Sequence, residues 1–124
     1  MAGLSEELLH EVIQRLFPLR PVVSVIGDVP GLGDDPADCL LRRKATMATC
    51  TYGASPFVAR HNQATRQAAE NTGGHYVDVQ DLFCADDRCP AVIGGSVAYI
   101  DDNHVSRTYA ETLAGQLGRR LRLG

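Results

Sequence analysis

Apolar and polar positions alternate along the chain in a way that predicts a series of helices and strands. Behind Ser5, which is predicted to cap the first helix, apolar residues recur at helical spacing: Leu8, Leu9, Val12, Ile13 and Leu16. This pattern predicts an amphipathic helix with one apolar face. The helix is expected to stop at Pro18, because proline lacks the backbone N–H that a helix interior needs.

A short and almost wholly apolar run follows at residues 22–26 and ends at Gly27. Such a run predicts a strand that is covered on both faces, as in a parallel sheet. The carboxyl ends of such strands are where α/β proteins place their chemistry. Residues 28–53 are rich in Gly, Pro and Asp and are predicted to be a long loop, which in a small domain is either functional or held by a restraint.

The second half of the chain repeats the alternation of helix and strand. Ser55 and Pro56 predict the start of a helix that runs to about residue 71 and ends at two glycines. Further extended segments are predicted at residues 76–79 and 97–100. Ser106 is predicted to cap a last helix with apolar residues at helical spacing, namely Tyr109, Leu113, Leu117 and Leu121. The order predicts one α/β domain over residues 1–124.

Composition removes several classes of function. Twelve basic and fifteen acidic residues give a net charge of -3 without a basic stripe, so no nucleic-acid partner is expected. No apolar run reaches the roughly 18 residues of a membrane helix, and no signal peptide is recognised. The hydrophobic fraction of 44% is that of an ordinary globular protein, so the chain as given is expected to be soluble.

The four cysteines fall into two local pairs, Cys39 with Cys50 and Cys84 with Cys89, in segments predicted to be loops. Two short disulfides are the favoured interpretation, followed by free thiols and then by a zinc site. Neither pair has the two-residue gap of zinc knuckles, and no histidine follows at ligand spacing, so neither a metal nor a cofactor is predicted. Disulfides require an oxidising compartment. Without a signal peptide, either the thiols stay reduced or something preceding this chain exports it.

The candidate chemistry lies in residues 99–106, where Asp101 precedes His104 by three residues. An aspartate in that position can hold the imidazole Nδ1–H and leave Nε2 free to take a proton from a serine hydroxyl. Asp102 is the rival for this orienting role. This spacing often arises by chance, so the hypothesis rests on the position of the pair directly before a capped final helix. His10, His61 and His75 are predicted to be ordinary histidines on helix faces or at a helix end.

A glycine-rich turn at residues 27–33 is the second candidate. It lacks the spacing of a phosphate-binding loop, and Pro30 removes an amide that a phosphate would need, so nucleotide binding is not favoured. Alternatively, Asp28 and Val29 could belong to a Gly-Asp-Ser motif of serine esterases in which valine has replaced the serine. That alternative would describe an enzyme without its nucleophile.

These segments, taken in order, resemble the C-terminal half of an SGNH domain of the kind fused behind acyltransferase-3 membrane proteins in bacteria. The resemblance covers roughly residues 20–122. It rests on these features: Asp28-Val29-Pro30, Pro36 to Leu40, Cys50, Asn62, Val77 to Val79, Leu82 to Cys84, Cys89 and Tyr99 to Ser106. In that family the Asp-x-Pro segment belongs to a late strand, so the resemblance separates Asp28 from the serine motif. The fold implied is a three-layer α/β/α arrangement with a small parallel sheet, a partial SGNH or flavodoxin-like fold.

The resemblance implies a role for the aspartate and histidine pair. Asp101 would orient His104, which would serve as general base and then general acid for a serine that these 124 residues do not contain. The implied activity is O-acyl transfer or ester hydrolysis on cell-surface carbohydrate, outside the cytoplasmic membrane. Its partners would be an acyl donor, a carbohydrate acceptor, and a complementing N-terminal half or membrane acyltransferase domain. The chain alone is expected to be inactive.

Two other functions stay open at this point. One is a non-catalytic carbohydrate-binding or interaction module that uses the same half-fold. The other is a thiol or metal protein that uses the four cysteines. If the chain is part of an SGNH domain, its thin sheet is expected to expose an unpaired apolar edge, which favours oligomers or a partner.

Overall fold

The computed structural model describes residues 5–16 and 23–121, and within these ranges it contains five α-helices, one short 3-10 helix (Gln80–Leu82) and six short strands. The helices are α1 (Glu6–Leu16), α2 (Pro36–Leu41), α3 (Pro56–Asn71), α4 (Arg107–Thr112) and α5 (Ala114–Arg120). The strands are β1 (Ser24–Ile26), β2 (Thr51–Gly53), β3 (His75–Val77), β4 (Arg88–Pro90), β5 (Val92–Ile93) and β6 (Ser96–Val97). The predicted α/β class is confirmed. The predicted helix end at Pro18 and strand start at Val22 lie outside the described residues.

A small parallel sheet joins the first and second halves of the chain. β1 pairs with β3 in parallel, so that Val25 lies beside Tyr76. Helix α3 connects the two strands and packs against both, and α1 packs on α3. A small core forms where these elements meet, around Ile13, Val23 and Ala69. This order of strand, helix and parallel strand is the unit that the alternation of patterns predicts.

The long segment between β1 and α3 is more ordered than predicted. It contains α2, in which Asp35 caps the helix by accepting a hydrogen bond from the Ala37 N–H and Pro36 occupies the first turn. It also contains β2, which pairs antiparallel with β4. Cys39 therefore lies in a helix rather than in a loop, and Cys89 lies in a strand. A six-residue helix is too short to show an apolar periodicity, so the hydrophobic pattern does not reveal it.

The extended segment near residue 97 also differs from the prediction. β6 pairs with β5 in an antiparallel hairpin and does not join the parallel sheet. The two residues between these strands, Gly94 and Gly95, both have positive φ angles, as a tight hairpin turn of this kind requires. The strand predicted at residues 76–79 is shifted to His75–Val77.

The last helix is divided into α4 and α5 at Leu113, although its apolar residues keep helical spacing across the break. Their side chains pack on the main core of the molecule, whose buried members are Leu32, Val77, Val79, Leu82, Phe83, Cys89, Ala98, Tyr99 and Tyr109. The ring of Phe83 lies between those of Tyr99 and Tyr109, with centroid distances of 5.6 and 5.4 Å. This core lies directly beneath the segment that carries the candidate chemistry.

Candidate active site

The segment between β6 and α4 is a closed turn. Its two ends are joined by the bridge between Tyr99 and Val105, and the Ile100 N–H donates to the His104 carbonyl at 2.9 Å. Ser106 closes the turn on the helix side. Its hydroxyl donates to the Val97 carbonyl at 2.6 Å and accepts from the Tyr109 N–H at 3.1 Å, so it caps α4 as predicted. The turn is therefore held at both ends by backbone bonds and by a cap.

Asp101 and His104 are in direct contact within this turn. The carboxylate oxygens of Asp101 lie 2.8 and 3.0 Å from Nδ1 of His104. The same carboxylate accepts the backbone N–H groups of Asn103 at 2.9 Å and of His104 at 2.7 Å. Asp102, the rival residue, makes no side-chain hydrogen bond to His104 among the bonds of the described chain. The geometry thus pairs Asp101, rather than its neighbour, with the imidazole.

The hydrogen bonds to the carboxylate fix its charge. The Asn103 N–H, followed by the His104 side chain and backbone, lowers the pKa of Asp101 below its ordinary value. An ionised carboxylate beside Nδ1 requires that nitrogen to carry a proton, so the neutral imidazole has its lone pair on Nε2. No described residue hydrogen bonds with Nε2, and the His104 side chain is 59% exposed. His104 is therefore presented outward with its basic nitrogen free.

The turn that carries the pair lies against the loop that follows the carboxyl end of β1. The loop after this strand crosses beneath the turn, where the Leu32 N–H donates to the Asp102 carbonyl at 2.9 Å. The Leu32 side chain is buried in the same core as Tyr99, and Val29 packs against that core. This is the edge of a parallel sheet at which ligands bind in open α/β folds.

Helix α3 fixes the beginning and the middle of this loop. The Asn62 side chain accepts the Asp28 N–H at 2.9 Å and donates to the Asp28 carbonyl at 3.0 Å. The Ser55 N–H donates to the Gly31 carbonyl at 2.8 Å. Asn62 is one of the residues that carry the family resemblance, where it has no assigned role. The sequence gives no sign of its contact with Asp28, because 34 residues separate the two.

The described serines lie at the starts of helices or strands. Ser55 and Ser106 cap α3 and α4, and the Ser5 hydroxyl accepts the Leu8 N–H at the start of α1. Ser24 begins β1, at the opposite end of the strand from Asp28, and Ser96 begins β6. None of these described serines makes a hydrogen bond to His104.

Both predicted disulfides are present. Cys39 is bonded to Cys50 with a Cα separation of 5.7 Å, and Cys84 is bonded to Cys89 with a Cα separation of 4.1 Å. The first bond ties α2 to the start of β2, and the second closes the turn before β4. All four sulfur atoms are thereby used, so the alternatives that needed free thiols or cysteine ligands do not fit this structure.

Of the other histidines, one departs from its predicted setting. His75 is not at a helix end but is the first residue of β3, and its Nε2 lies 3.0 Å from the Arg120 carbonyl at the end of α5. His10 lies on α1 and His61 on α3, as predicted, and neither makes a side-chain hydrogen bond within the described residues.

Comparison with known proteins identifies the class. The family model described as "SGNH domain (fused to AT3 domains)" matches residues 7–119, and the chain belongs to this family. None of the curated proteins matches it. Among solved structures, the chain is similar to the periplasmic domain of a lipopolysaccharide acetyltransferase from Salmonella ser. Paratyphi A, with a TM-score of 0.71 and 14% sequence identity.

That similarity covers 94% of this chain but only 50% of the Salmonella chain. At this level of identity it establishes the fold alone. Within the described residues, no helix is long and apolar enough to cross a membrane.

Proposed function

We propose that this chain supplies the aspartate and histidine of an SGNH-type acyl-transfer site, with the nucleophilic serine supplied by polypeptide outside these 124 residues. The observation that carries the proposal is the contact between Asp101 and Nδ1 of His104, with Nε2 left without a hydrogen bond among the described residues, in a turn that lies against the loop after β1. That arrangement is the one in which a histidine can act as base towards a hydroxyl.

In the proposed reaction, a serine hydroxyl attacks the carbonyl carbon of an acyl donor. A bond forms between the serine oxygen and the acyl carbon, the bond to the leaving group breaks, and the serine proton passes through Nε2 of His104 to the leaving group. A carbohydrate hydroxyl then attacks the acyl-serine, its proton is taken by Nε2, and the released serine recovers that proton. If water replaces the carbohydrate, the same steps hydrolyse the ester. Asp101 holds the imidazole and stabilises its protonated form in both steps.

Three observations support a serine from outside the chain. Of the described serines, Ser5, Ser55 and Ser106 accept backbone N–H groups at helix starts, Ser24 and Ser96 begin strands, and none hydrogen bonds with His104. The chain spans half of the structure that it resembles. In addition, β1 pairs with no described strand except β3, and Ile26 at its end is exposed together with a row of apolar residues on α1, namely Leu8, Val12 and Leu16. An open strand edge beside exposed apolar side chains is the kind of surface on which further strands pack.

The compartment and the substrate belong to the same proposal. The two disulfides favour an oxidising location outside the cytoplasm, and the family description names a fusion to AT3 domains, which the sequence resemblance interprets as membrane acyltransferases. We therefore place the reaction at the cell envelope, with surface carbohydrate as acceptor.

The test replaces His104 by alanine in the natural protein that carries these residues. The readout is the amount of base-labile acyl groups on surface carbohydrate. Loss of the general base is expected to reduce acyl transfer by about 10²–10⁴-fold. Asp101→Asn is expected to reduce the acyl content as His104→Ala does. Asp102→Asn is the matched control and is expected to leave the acyl content unchanged. Wild-type acyl content in His104→Ala would contradict the proposal.

A second experiment tests the origin of the serine. The purified 124-residue chain is treated with a fluorophosphonate probe, which reacts with activated serines. No labelling is expected. A labelled serine that depends on His104 would show that the nucleophile lies within the chain.

A further inference from the structure

The loop at residues 28–33 connects helix α3 with the turn that carries His104. It is fixed at three points: by Asn62 at Asp28, by the Ser55 N–H at Gly31, and by its own Leu32 N–H at the Asp102 carbonyl. Two of these bonds join backbone groups, so no side-chain substitution removes them. Of the three contacts, only that of Asn62 is made through a side chain.

The contact of Asn62 with Asp28 is specific in its chemistry. One side-chain amide accepts a backbone N–H and donates to the carbonyl of the same residue, which satisfies both polar groups at the point where β1 ends. An amide side chain carries its acceptor and its donor on two atoms of one group, so it can bond with both the N–H and the carbonyl of a single residue. Asp28 in turn uses its carboxylate to accept the Val29 N–H at 2.9 Å, and the Val29 side chain packs against the larger core.

From these contacts we propose that Asn62 is a positioning residue for His104. It fixes the start of the loop so that Leu32 supports the Asp102 carbonyl and the adjacent Asp101 carboxylate faces Nδ1. This inference rests on the proposed function for its biological meaning. Its physical content, the link from Asn62 to the state of the imidazole, is independent of any activity.

The experiment is NMR spectroscopy of the purified, ¹⁵N-labelled chain with its disulfides formed. Long-range ¹⁵N–¹H spectra report which imidazole nitrogen carries the proton. The wild-type chain is expected to show His104 with its proton on Nδ1. In Asn62→Ala, the signals are expected to move towards a mixture of the two tautomers, because Asp101 no longer faces the ring in one fixed position. Hydrogen exchange at the Leu32 amide is expected to become about tenfold faster, corresponding to the loss of about one hydrogen bond.

Two control variants separate positioning from general stability. Gln63→Ala changes the neighbouring exposed residue of α3, which makes no side-chain hydrogen bond among the described residues, and is expected to leave the His104 signals unchanged. Leu9→Ala weakens the packing of α1 on α3 and is expected to lower stability without altering the tautomer. Equal changes of the His104 signals in Leu9→Ala and Asn62→Ala would overturn the inference.

Asn62→Asp covers the case in which the alanine variant does not fold. It retains an acceptor for the Asp28 N–H but sets a carboxylate against the Asp28 carbonyl, so a smaller change in the same direction is expected. Wild-type His104 signals in the folded Asn62 variant would overturn the inference. If the wild-type chain itself lacks the Nδ1–H tautomer, the arrangement on which the proposed function rests is absent. If that tautomer is present but does not change in the Asn62 variants, only the positioning role of Asn62 fails.

Discussion

The amino-terminal layer and the disulfide-linked region of this molecule are stabilised in different ways. The layer of α1, β1 and α3 has a core of three buried residues and no covalent restraint, and a row of apolar side chains on α1 is exposed. The disulfide-linked region, residues 28–53 and 79–121, contains both disulfides and most of the larger core. The candidate site belongs to the second region, while the first presents an open surface. The difference means that the residues around the site are held by covalent bonds and a larger core, whereas the open edge of β1 belongs to the layer without covalent restraint.

The largest expected effect tests how the amino-terminal layer is held. Ile13 is 1% exposed and its neighbour Val12 is 38% exposed, so Ile13 lies on the inner face of α1 and Val12 on the outer face. Ile13→Ala is expected to lower the free energy of unfolding by about 2–5 kcal/mol, because it removes buried methyl groups and leaves a cavity. Val12→Ala is the matched control and is expected to cost less than about 0.5 kcal/mol. Urea denaturation measures both; similar losses would show that the outer face is also covered in the isolated chain.

The next prediction concerns the disulfide-linked region. Replacing Cys39 and Cys50 together by alanine is expected to lower stability by about 3 kcal/mol, since the bond closes a loop between residues 11 apart. Hydrogen exchange is expected to accelerate around α2 and β2 and to remain slow in α3. Uniform acceleration throughout both regions would contradict the distinction between them.

The elements that the sequence predicts well are those whose signals are local. Ser55 and Ser106 are recognisable as caps from their residue type and from the helical pattern directly after each of them, and the structure has both caps. The parallel arrangement of β1 and β3 is predicted by an apolar run, a helix and a second strand. The caps and the helices depend on residues within one or two turns of each other, where helix capping and periodicity act.

The rest depends on contacts between distant residues. The bond of Asn62 to Asp28 and that of Leu32 to Asp102 join segments that no periodicity relates. The break between α4 and α5 is also hidden from the pattern, because the spacing of apolar residues continues through Leu113. The contact of Asp101 with His104 is predictable as a short-range pair. Its place against the loop that follows β1 becomes apparent only from the fold.

A third prediction compares two tyrosines within the larger core. The Tyr109 hydroxyl donates to the buried Leu82 carbonyl, whereas the Tyr99 hydroxyl is buried without a hydrogen-bond partner among the described residues. Tyr109→Phe is expected to cost about 1–3 kcal/mol, because a buried carbonyl loses its donor. Tyr99→Phe is expected to cost less than about 0.5 kcal/mol, because no hydrogen bond is lost. The two variants lose the same atom, so equal effects in urea denaturation would contradict the assigned hydrogen bond.

The smallest expected effect is a pH dependence where α5 meets the segment after β3. The two terminal nitrogens of the Arg120 guanidinium, Nη1 and Nη2, donate to the two carboxylate oxygens of Asp81 at 2.6 and 2.7 Å, and these bonds lower the pKa of Asp81.

Because the folded-state pKa of Asp81 is the lower one, its contribution is fully present above the unfolded value of about 4 and is lost as the pH falls through the folded value. The Asp81 side chain is 65% exposed, so solvent screening limits the contribution to less than about 1 kcal/mol. Urea denaturation at pH 7 and pH 3 is expected to show a smaller loss of stability in Asp81→Asn than in the wild type. As the control, Glu111→Gln removes an exposed pair with Arg107 within α4 and is expected to change this difference less. An Asp81→Asn variant with the full wild-type acid loss would show that the ion pair between α5 and the segment after β3 does not contribute to the stability of the disulfide-linked region.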